Sequence, residues 1–266
     1  MSTVPRDDTG LEREDTDLLA LAEHAARSAG QFLLRRPQHL EVESKSTPTD
    51  VVTQMDAAAE RLLIDILLAA RPNDSILGEE GGSRAGSSGV RWVIDPLDGT
   101  VNYLYDLPGW AVSVAAERDG VVVAGAVEIP SWGDSFSARR GAGAFCNGAA
   151  IQVSECADLR SALVGTGFAY DSGRRGEQAQ AVAQMLPQVR DIRRFGAAAA
   201  DLCAVACGRL DAYAERGLQP WDHAAGALIA AEAGAEVLVD GAPTLVCAAP
   251  VALMPAFTEL IAEVGL

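Results

Sequence analysis

Two aspartates stand three residues apart where an apolar segment ends, and this spacing suits the binding of a hard cation. The segment Trp92-Val93-Ile94 leads into Asp95-Pro96-Leu97-Asp98-Gly99-Thr100. The proline and glycine predict that a buried strand ends there in a turn. Two carboxylates on one rigid turn can bind one cation or bridge two.

Further carboxylates stand at comparable places along the chain. Glu79 follows the apolar segment Ile76-Leu77, and Asp222 follows Pro220-Trp221. Oxygen ligands from separate elements suit Mg²⁺, which binds few carboxylates and keeps positions for water and phosphate. The pattern therefore favours metal-assisted phosphate-ester chemistry.

Two other interpretations of the aspartate pair are open. Asp98 or Thr100 could simply cap a following helix. The haloacid-dehalogenase signature also begins with paired acids, but its acids are two residues apart and here the spacing is three. The recurrence of acids at Asp56, Glu79 and Asp222 favours the metal site over both.

Composition limits the class of protein. The 266 residues are 49% hydrophobic and carry a formal net charge of −16, which argues against nucleic acid or an anionic membrane as the main partner. No segment approaches the roughly 18 apolar residues of a membrane span. The cysteines are odd in number and unpaired in spacing, which predicts free thiols and a cytoplasmic protein.

Hydrophobic periodicity predicts an α/β protein with layered, mixed sheets. Residues 1–14 are polar and predict a disordered tail, followed by one domain over 15–266 with halves at roughly 15–155 and 156–266. A helix is predicted from Asp17 to Leu34, with Asp15 or Thr16 as its N-cap. Arg118-Asp119-Gly120 predicts a hairpin, and the Gly/Ser-rich residues 81–89 predict a mobile loop.

Taken together, six segments resemble the inositol monophosphatase family, in order and from about Lys45 to Ala235. They are Asp50-Val51-Val52-Thr53-Gln54-Met55-Asp56, Leu77-Gly78-Glu79-Glu80, Trp92-Val93-Ile94-Asp95-Pro96-Leu97-Asp98-Gly99-Thr100-Val101-Asn102-Tyr103, Gly141-Ala142-Gly143-Ala144-Phe145-Cys146-Asn147-Gly148, Leu210-Asp211-Ala212-Tyr213-Ala214-Glu215 and Trp221-Asp222-His223-Ala224-Ala225-Gly226. The resemblance implies an αβαβα sandwich, a homodimer, dependence on two or three Mg²⁺ per site, and lithium sensitivity.

The resemblance also implies roles for individual residues. The metal ligands would be Glu79, Asp95, the backbone carbonyl of Leu97, Asp98 and Asp222. Glu79 would orient the attacking water, assisted by Thr100, whose hydroxyl Asp56 would polarise. Substrate contacts would come from Asp98, Gly99, Thr100, Ala198, Glu215 and Asp222. Lys45 matches the lysine of a loop near the metals, a loop that is expected to become ordered when metal and phosphate bind.

The substrate implied is an inositol phosphate, hydrolysed by direct attack of water. Glu215 matches the family glutamate that binds ring hydroxyls, and no Trp-Gly-Asp of histidinol phosphatases stands near Arg193-Arg194-Phe195-Gly196. Ala197 replaces a usual Ser or Thr, so histidinol phosphate, fructose 1,6-bisphosphate and nucleotide 3′-phosphates stay open as substrates. An alternative of another class is a regulatory protein that interacts with the transcription machinery.

Overall fold

A computed structural model describes residues 8–45, 47 and 51–266 of the chain. The helices of these residues are α1 (Asp8–Leu33), α2 (Gln54–Ala70), α3 (Thr100–Leu104), α4 (Ser172–Met185), α5 (Ala198–Ala206), α6 (Pro220–Glu232) and α7 (Met254–Val264). The strands are β1 (Val42–Ser44), β2 (Val51–Thr53), β3 (Ser75–Gly78), β4 (Val90–Asp98), β5 (Ala111–Arg118), β6 (Val121–Ile129), β7 (Asp134–Arg139), β8 (Ala144–Cys146), β9 (Ala149–Ile151), β10 (Leu163–Thr166), β11 (Asp191–Arg193), β12 (Ala212–Arg216), β13 (Ala235–Asp240) and β14 (Leu245–Pro250).

The elements stack in five layers, which confirms the predicted αβαβα sandwich. Strands β3 to β9 form a seven-stranded sheet in sequence order, and a five-stranded sheet has the order β11-β10-β12-β14-β13. One apolar core joins α1 and α2 to the larger sheet, a second joins α5 and α6 to both sheets, and a third joins α4 and α7 to the smaller sheet. The α5–α6 layer is therefore buried between the sheets, which explains why nearly every α5 side chain is apolar and buried.

The first helix begins earlier than the sequence predicted. Helix α1 starts at Asp8, so residues 8–14 are helical rather than a disordered tail, and residues 1–7 lie outside the described residues. Glu14 explains part of this difference, because its carboxylate forms ion pairs with Arg71 at 3.0 Å and Arg118 at 3.1 Å. Both arginines are distant in sequence, so local composition could not reveal these contacts.

The hairpin prediction at Asp119-Gly120 is confirmed. These two residues join β5 to β6 and both have positive φ, 51° and 81°, as a two-residue hairpin turn requires. The prediction that Pro96 ends its strand is wrong, since β4 continues to Asp98. The pairing of β4 with β5 is irregular between Asp95 and Asp98, and this irregularity accommodates a residue that has no N–H to donate.

The glycine- and serine-rich loop of residues 81–89 is held by hydrogen bonds to strand β3 and to Asn73, which precedes that strand. Arg84 and Ile76 form a backbone bridge, and the N–H groups of Ser87 and Ser88 donate to the Asn73 carbonyl at 2.7 and 3.1 Å. Hydrogen bonds thus hold this loop, although its sequence has no apolar side chain that could be buried against the core. Over the described part of the chain, no helix is long and apolar enough to cross a membrane.

Candidate active site

The parallel pair β3 and β4 brings two of the predicted ligands together. Gly78 pairs with Ile94, so Glu79 and Asp95 are the next residues at the same edge of the sheet. Asp95 is 1% exposed, and its Oδ1 accepts a hydrogen bond from the Leu97 N–H at 2.9 Å. This contact orients the Asp95 carboxylate.

Asp98 does not cap the helix that follows it, so that structural alternative is wrong for this residue. The residue at the N-cap of α3 is Gly99, which has φ +87° and provides no capping side chain. Asp98 instead accepts a hydrogen bond through Oδ2 from the Ala199 N–H at 2.7 Å. A Cβ on Gly99 would lie 3.1 Å from the Gly196 carbonyl oxygen, so glycine permits both the turn and the close approach of α5.

Asp56 and Thr100 form a buried hydrogen-bonded pair. The Thr100 hydroxyl lies 2.9 Å from Asp56 Oδ1 and 3.1 Å from the Leu97 carbonyl oxygen. Asp56 Oδ2 accepts hydrogen bonds from the N–H and the hydroxyl of Thr53, at 2.9 and 2.5 Å. Thr53 is the N-cap of α2 and Asp56 its third residue, so a helix capping box fixes the orientation of the carboxylate.

Glu215, on strand β12 of the smaller sheet, and Asp222, on helix α6, line the same cavities. Asp222 lies in the first turn of α6, where its Oδ2 accepts a hydrogen bond from the Gln219 N–H at 2.6 Å. Glu215 is on β12, and its Oε2 accepts a hydrogen bond from the Tyr213 hydroxyl at 2.6 Å. A Cβ at Gly167 would overlap the Glu215 carboxylate, so this position needs glycine.

Lys45 lies beside two glutamates. Its Nζ is 2.8 Å from Glu79 Oε1 and 2.6 Å from Glu80 Oε1. The N–H of Glu80 donates at 2.8 Å to Glu60, which is 5% exposed and also accepts the Gly82 N–H at 3.0 Å. Glu60 therefore fixes the turn that presents Glu79. Of the predicted loop around Lys45, residues 46 and 48–50 lie outside the described residues.

These residues surround one cleft. A cavity of about 450 Å³ is lined by Lys45, Glu79, Glu215 and Asp222 among others. A smaller cavity of about 100 Å³ shares Glu215 and Asp222 with it and adds Asp98 and Ala198. Of the predicted ligands and substrate contacts, Glu79, Asp98, Ala198, Glu215 and Asp222 thus line these two adjoining cavities.

The cleft concentrates negative charge that the protein alone does not neutralise. Burial, followed by the charge of Glu79, raises the pKa of Asp95 well above its usual range. Burial, followed by the charge of Asp222, also raises the pKa of Asp98 well above its usual range. Burial raises the pKa of Asp222 to about 7. Burial tends to lower the pKa of Lys45, but Glu79 and Glu80 outweigh it and the pKa is raised.

The donor chemistry fits divalent cations. Among the described residues, no group of three or more acidic, histidine or cysteine side chains already has the arrangement of ligands around one metal ion. However, Asp95, Asp98 and Asp222 each have one oxygen oriented by a backbone N–H, and the Lys45 ammonium contacts Glu79. A hard cation would offset both the burial and the repulsion that raise these pKa values, and carboxylate oxygens are the ligands it prefers.

Several residues that shape the site were not predicted from the sequence. Glu60 lies four residues after Asp56 on α2, and that spacing places both on one helix face, a signal that could have been used. Asn102 stands within a predicted motif and donates to the carbonyls of Gly109 and Phe195, at 3.3 and 2.7 Å. The positions of Gly167 and Arg194 beside Glu215 depend on contacts between distant segments and leave no local pattern.

The fold and the acid-lined cleft define the class of protein. The chain matches the model of the inositol monophosphatase family over residues 14–263, and it belongs to that family. An inositol-1-monophosphatase of Mycobacterium leprae is 55% identical over 225 residues, covering 79% of this chain and 77% of the relative.

Two further relatives extend the comparison. A Nus factor SuhB of Xylella fastidiosa is 44% identical over 217 residues, covering 80% of this chain and 78% of its own. The solved structure of Mycobacterium tuberculosis SuhB superimposes with a TM-score of 0.83 at 42% identity, covering 94% of this chain and 97% of that one. The family resemblance stated from the sequence is therefore confirmed.

Proposed function

We propose that this protein is a Mg²⁺-dependent phosphate monoester hydrolase that converts myo-inositol 1-phosphate and water to myo-inositol and phosphate. The observation that carries the proposal is the proximity of four acids: Glu79, Asp98 and Asp222 line two adjoining cavities together with Glu215, and the charges of these three ligands all act on buried Asp95. The name of the Mycobacterium leprae relative supports the substrate.

Two or three Mg²⁺ would be held by Glu79, Asp95, the Leu97 carbonyl, Asp98 and Asp222. When bound, these ions would neutralise the phosphoryl oxygens and the leaving oxygen and promote the ionisation of water. The backbone N–H groups at Gly99 and Thr100 would bind the phosphate. Without cations, the carboxylates of the cleft would repel the negatively charged phosphate monoester, which explains why the cations are needed for substrate binding.

The attacking water would be oriented by Glu79 and Thr100. The Thr100 hydroxyl donates its proton to Asp56, so its oxygen lone pairs are available to accept a proton of the water. The hydrogen bonds from Thr53 to Asp56 fix the orientation of the Asp56 carboxylate and thereby that of the Thr100 hydroxyl. The water attacks phosphorus directly, and no side chain becomes phosphorylated.

The polyol would be bound by Glu215 and the Ala198 backbone. The Glu215 carboxylate is fixed by the Tyr213 hydroxyl through Oε2 and can accept hydrogen bonds from ring hydroxyls. The Ala198 position lines the smaller cavity beside it. These contacts favour a polyhydroxylated ring over an ester without hydroxyl groups.

A substrate panel tests the proposal. Purified protein with Mg²⁺ should release phosphate from myo-inositol 1-phosphate with a higher kcat/KM than from histidinol phosphate, fructose 1,6-bisphosphate or a nucleotide 3′-phosphate. A higher value for one of the others would transfer the assignment to that substrate. The homodimer, the lithium sensitivity and the cytoplasmic location are further proposals, supported by family membership.

A regulatory role is the second candidate, because the Xylella fastidiosa relative is a Nus factor. The complete set of acids at the cleft favours an enzyme, since a protein that no longer catalyses has no need to keep buried carboxylates that repel one another. The absence of phosphate release from every substrate of the panel, in protein shown to be folded, would favour the regulatory role.

A further inference from the structure

A separate cavity lies between helix α1 and the face of the larger sheet that this helix covers. Its volume is about 510 Å³, which is in the range of small-molecule binding sites. One wall is α1, and the other is formed by strands β6, β7 and β8. Among the described residues, its lining shares no member with the two cavities of the catalytic cleft. A ligand bound here would therefore not occupy the place of the substrate.

The cavity exists because small side chains are neighbours on this face of the sheet. Ala126 pairs with Ser137, and Ser137 pairs with Phe145 on the next strand. Paired residues of adjacent strands project from the same face, so these three side chains form one row. Buried Ala26 of α1 lines the same space. The partly buried Phe145 ring is thus the large side chain of a row that is otherwise small.

Glu128 brings a partly buried carboxylate to this cavity. It pairs with Ser135, whose hydroxyl donates a hydrogen bond to Oε2. A Cβ on Gly30 of α1 would lie 2.8 Å from Glu128 Cγ, so a glycine in the helix leaves room for this side chain. Burial raises the pKa of Glu128, against the effects of the Ser135 hydrogen bond and the charge of Arg27. Oε1 accepts no hydrogen bond from the described residues, and it is not sealed inside the protein.

Ser137 presents a buried hydroxyl to the same cavity. The residue is 8% exposed, and its hydroxyl has no hydrogen-bond partner in the described part of the chain. A buried hydroxyl that lacks a partner costs free energy, so its presence indicates that something else can meet it. The oxygen is not fully enclosed, and a molecule in the cavity can therefore reach it.

Glu128 and Ser137 are diagonal neighbours on the sheet, because Glu128 stands opposite Ser135. Diagonal neighbours on one face are about 7–8 Å apart, which leaves room for one small polar group between their oxygens. The described lining holds two carboxylates, Glu23 and Glu128, and one guanidinium, Arg27. A ligand with a single positive charge would balance this excess of negative charge.

We propose that this cavity binds a small aliphatic primary amine. The ammonium group would donate hydrogen bonds to Glu128 Oε1 and to the Ser137 hydroxyl oxygen, beside the Phe145 ring, whose face attracts cations. The methylene chain would lie along Leu19 and Ala26, which line the cavity on its helical side. The inference does not depend on the proposed function, because the site is outside the cleft.

Two compounds of the same length test the proposal. Binding of 5-amino-1-pentanol and of 1,5-pentanediol to the full chain is measured by isothermal titration calorimetry, with saturating Mg²⁺ so that the acids of the cleft are occupied. The amine should bind saturably and about tenfold or more tightly than the diol, because only the ammonium forms a charge-assisted hydrogen bond with Glu128. Backbone amide NMR signals of α1, β6 and β7 should shift on binding.

Two substitutions in the cavity and one outside it separate this site from general attraction of a cation to an acidic protein. Glu128→Gln keeps the volume and should weaken binding of the amine about tenfold or more, and Ser137→Ala about twofold to tenfold. Glu236→Gln is the matched control, since it removes the same charge from an exposed position of β13 outside the cavity, and its affinity should equal that of wild type.

Thermal unfolding shows which variants are folded, and Ser137→Ala decides the test if Glu128→Gln is not. The inference would be overturned if the amine did not bind saturably, if the diol bound equally well, or if the loss in Glu236→Gln equalled that in the cavity variants. NMR shifts confined to the catalytic cleft would overturn it as well. Phosphate release by the same wild-type preparation is a separate measurement, so failure of the amine site leaves the proposed function standing.

Discussion

The hydroxyl of Thr100 can be removed without changing the size of its side chain. In Thr100→Val a methyl group replaces the hydroxyl, so packing is kept while Asp56 Oδ1 loses a hydrogen bond of 2.9 Å. Both residues are buried, at 6% and 0% exposure. A hydrogen bond to a charged group is worth about 1.5–3 kcal/mol, so we expect the free energy of unfolding to fall by about that amount.

The matched variant is Thr53→Val. It removes the other hydroxyl that donates to Asp56, at 2.5 Å, together with the side-chain cap of α2. Loss of such a cap costs about 0.5–2 kcal/mol in addition to the lost hydrogen bond, so Thr53→Val should be destabilised at least as much as Thr100→Val. Only Thr100 is proposed to contact the water. We therefore expect kcat to fall by about 10²-fold or more in Thr100→Val and much less in Thr53→Val.

Urea unfolding and phosphate release at a temperature where all variants are folded measure the two quantities separately. Thr100→Ser keeps the hydroxyl and should retain most of the activity. If Thr100→Val and Thr53→Val lose equal activity, the hydroxyl of Thr100 supports only the structure and the proposed role is wrong.

Three further predictions follow from the cleft. Asp95→Asn should lower Mg²⁺-dependent turnover by more than about a hundredfold with the fold retained on circular dichroism, because it removes charge and little volume; near-normal turnover would exclude the ligand role. Glu215→Gln should raise KM for inositol phosphate more than for p-nitrophenyl phosphate, since only the polyol offers hydroxyl donors, and equal effects would mean that Glu215 is structural. Burial raises the pKa of Asp222 from 3.8 to about 7, so as the pH rises the Asp222 carboxyl ionises in the unfolded chain before it does in the folded protein. Between about pH 4 and pH 7 the free energy of unfolding of the metal-free wild type should therefore fall relative to that of Asp222→Asn. Urea unfolding at pH 5 and pH 7 measures this loss, which Mg²⁺ should abolish, and an equal pH dependence in both proteins would contradict it.

The elements that local patterns specify were predicted well from the sequence. The Asp119-Gly120 turn needs two residues that tolerate positive φ, and the chain offers them between two apolar segments. Thr53 and Asp56 form a capping box, a signal that spans four residues and marks the start of α2. Features of this kind depend on neighbours in sequence, which is why they can be predicted.

Features that depend on distant contacts could not be predicted in this way. The hydrogen bond from the Ala199 N–H to Asp98 joins positions about a hundred residues apart, and no spacing rule predicts it. The early start of α1 is supported by Arg71 and Arg118, which pair with Glu14 across 57 and 104 residues of sequence. The family resemblance implied that the acids would converge, but the position of Arg194 beside Glu215 became visible only in three dimensions.

The central claim is that the acids of the cleft bind the divalent cations that turnover requires. Anomalous diffraction from crystals grown with Mn²⁺ and phosphate would test it most directly, since Mn²⁺ replaces Mg²⁺ at oxygen sites and can be located without ambiguity. We predict anomalous peaks within coordination distance of Glu79, Asp95, Asp98 and Asp222, with phosphate bound to the same ions. Crystals of active protein that show no peak at these four carboxylates, or show peaks only elsewhere, would contradict the account.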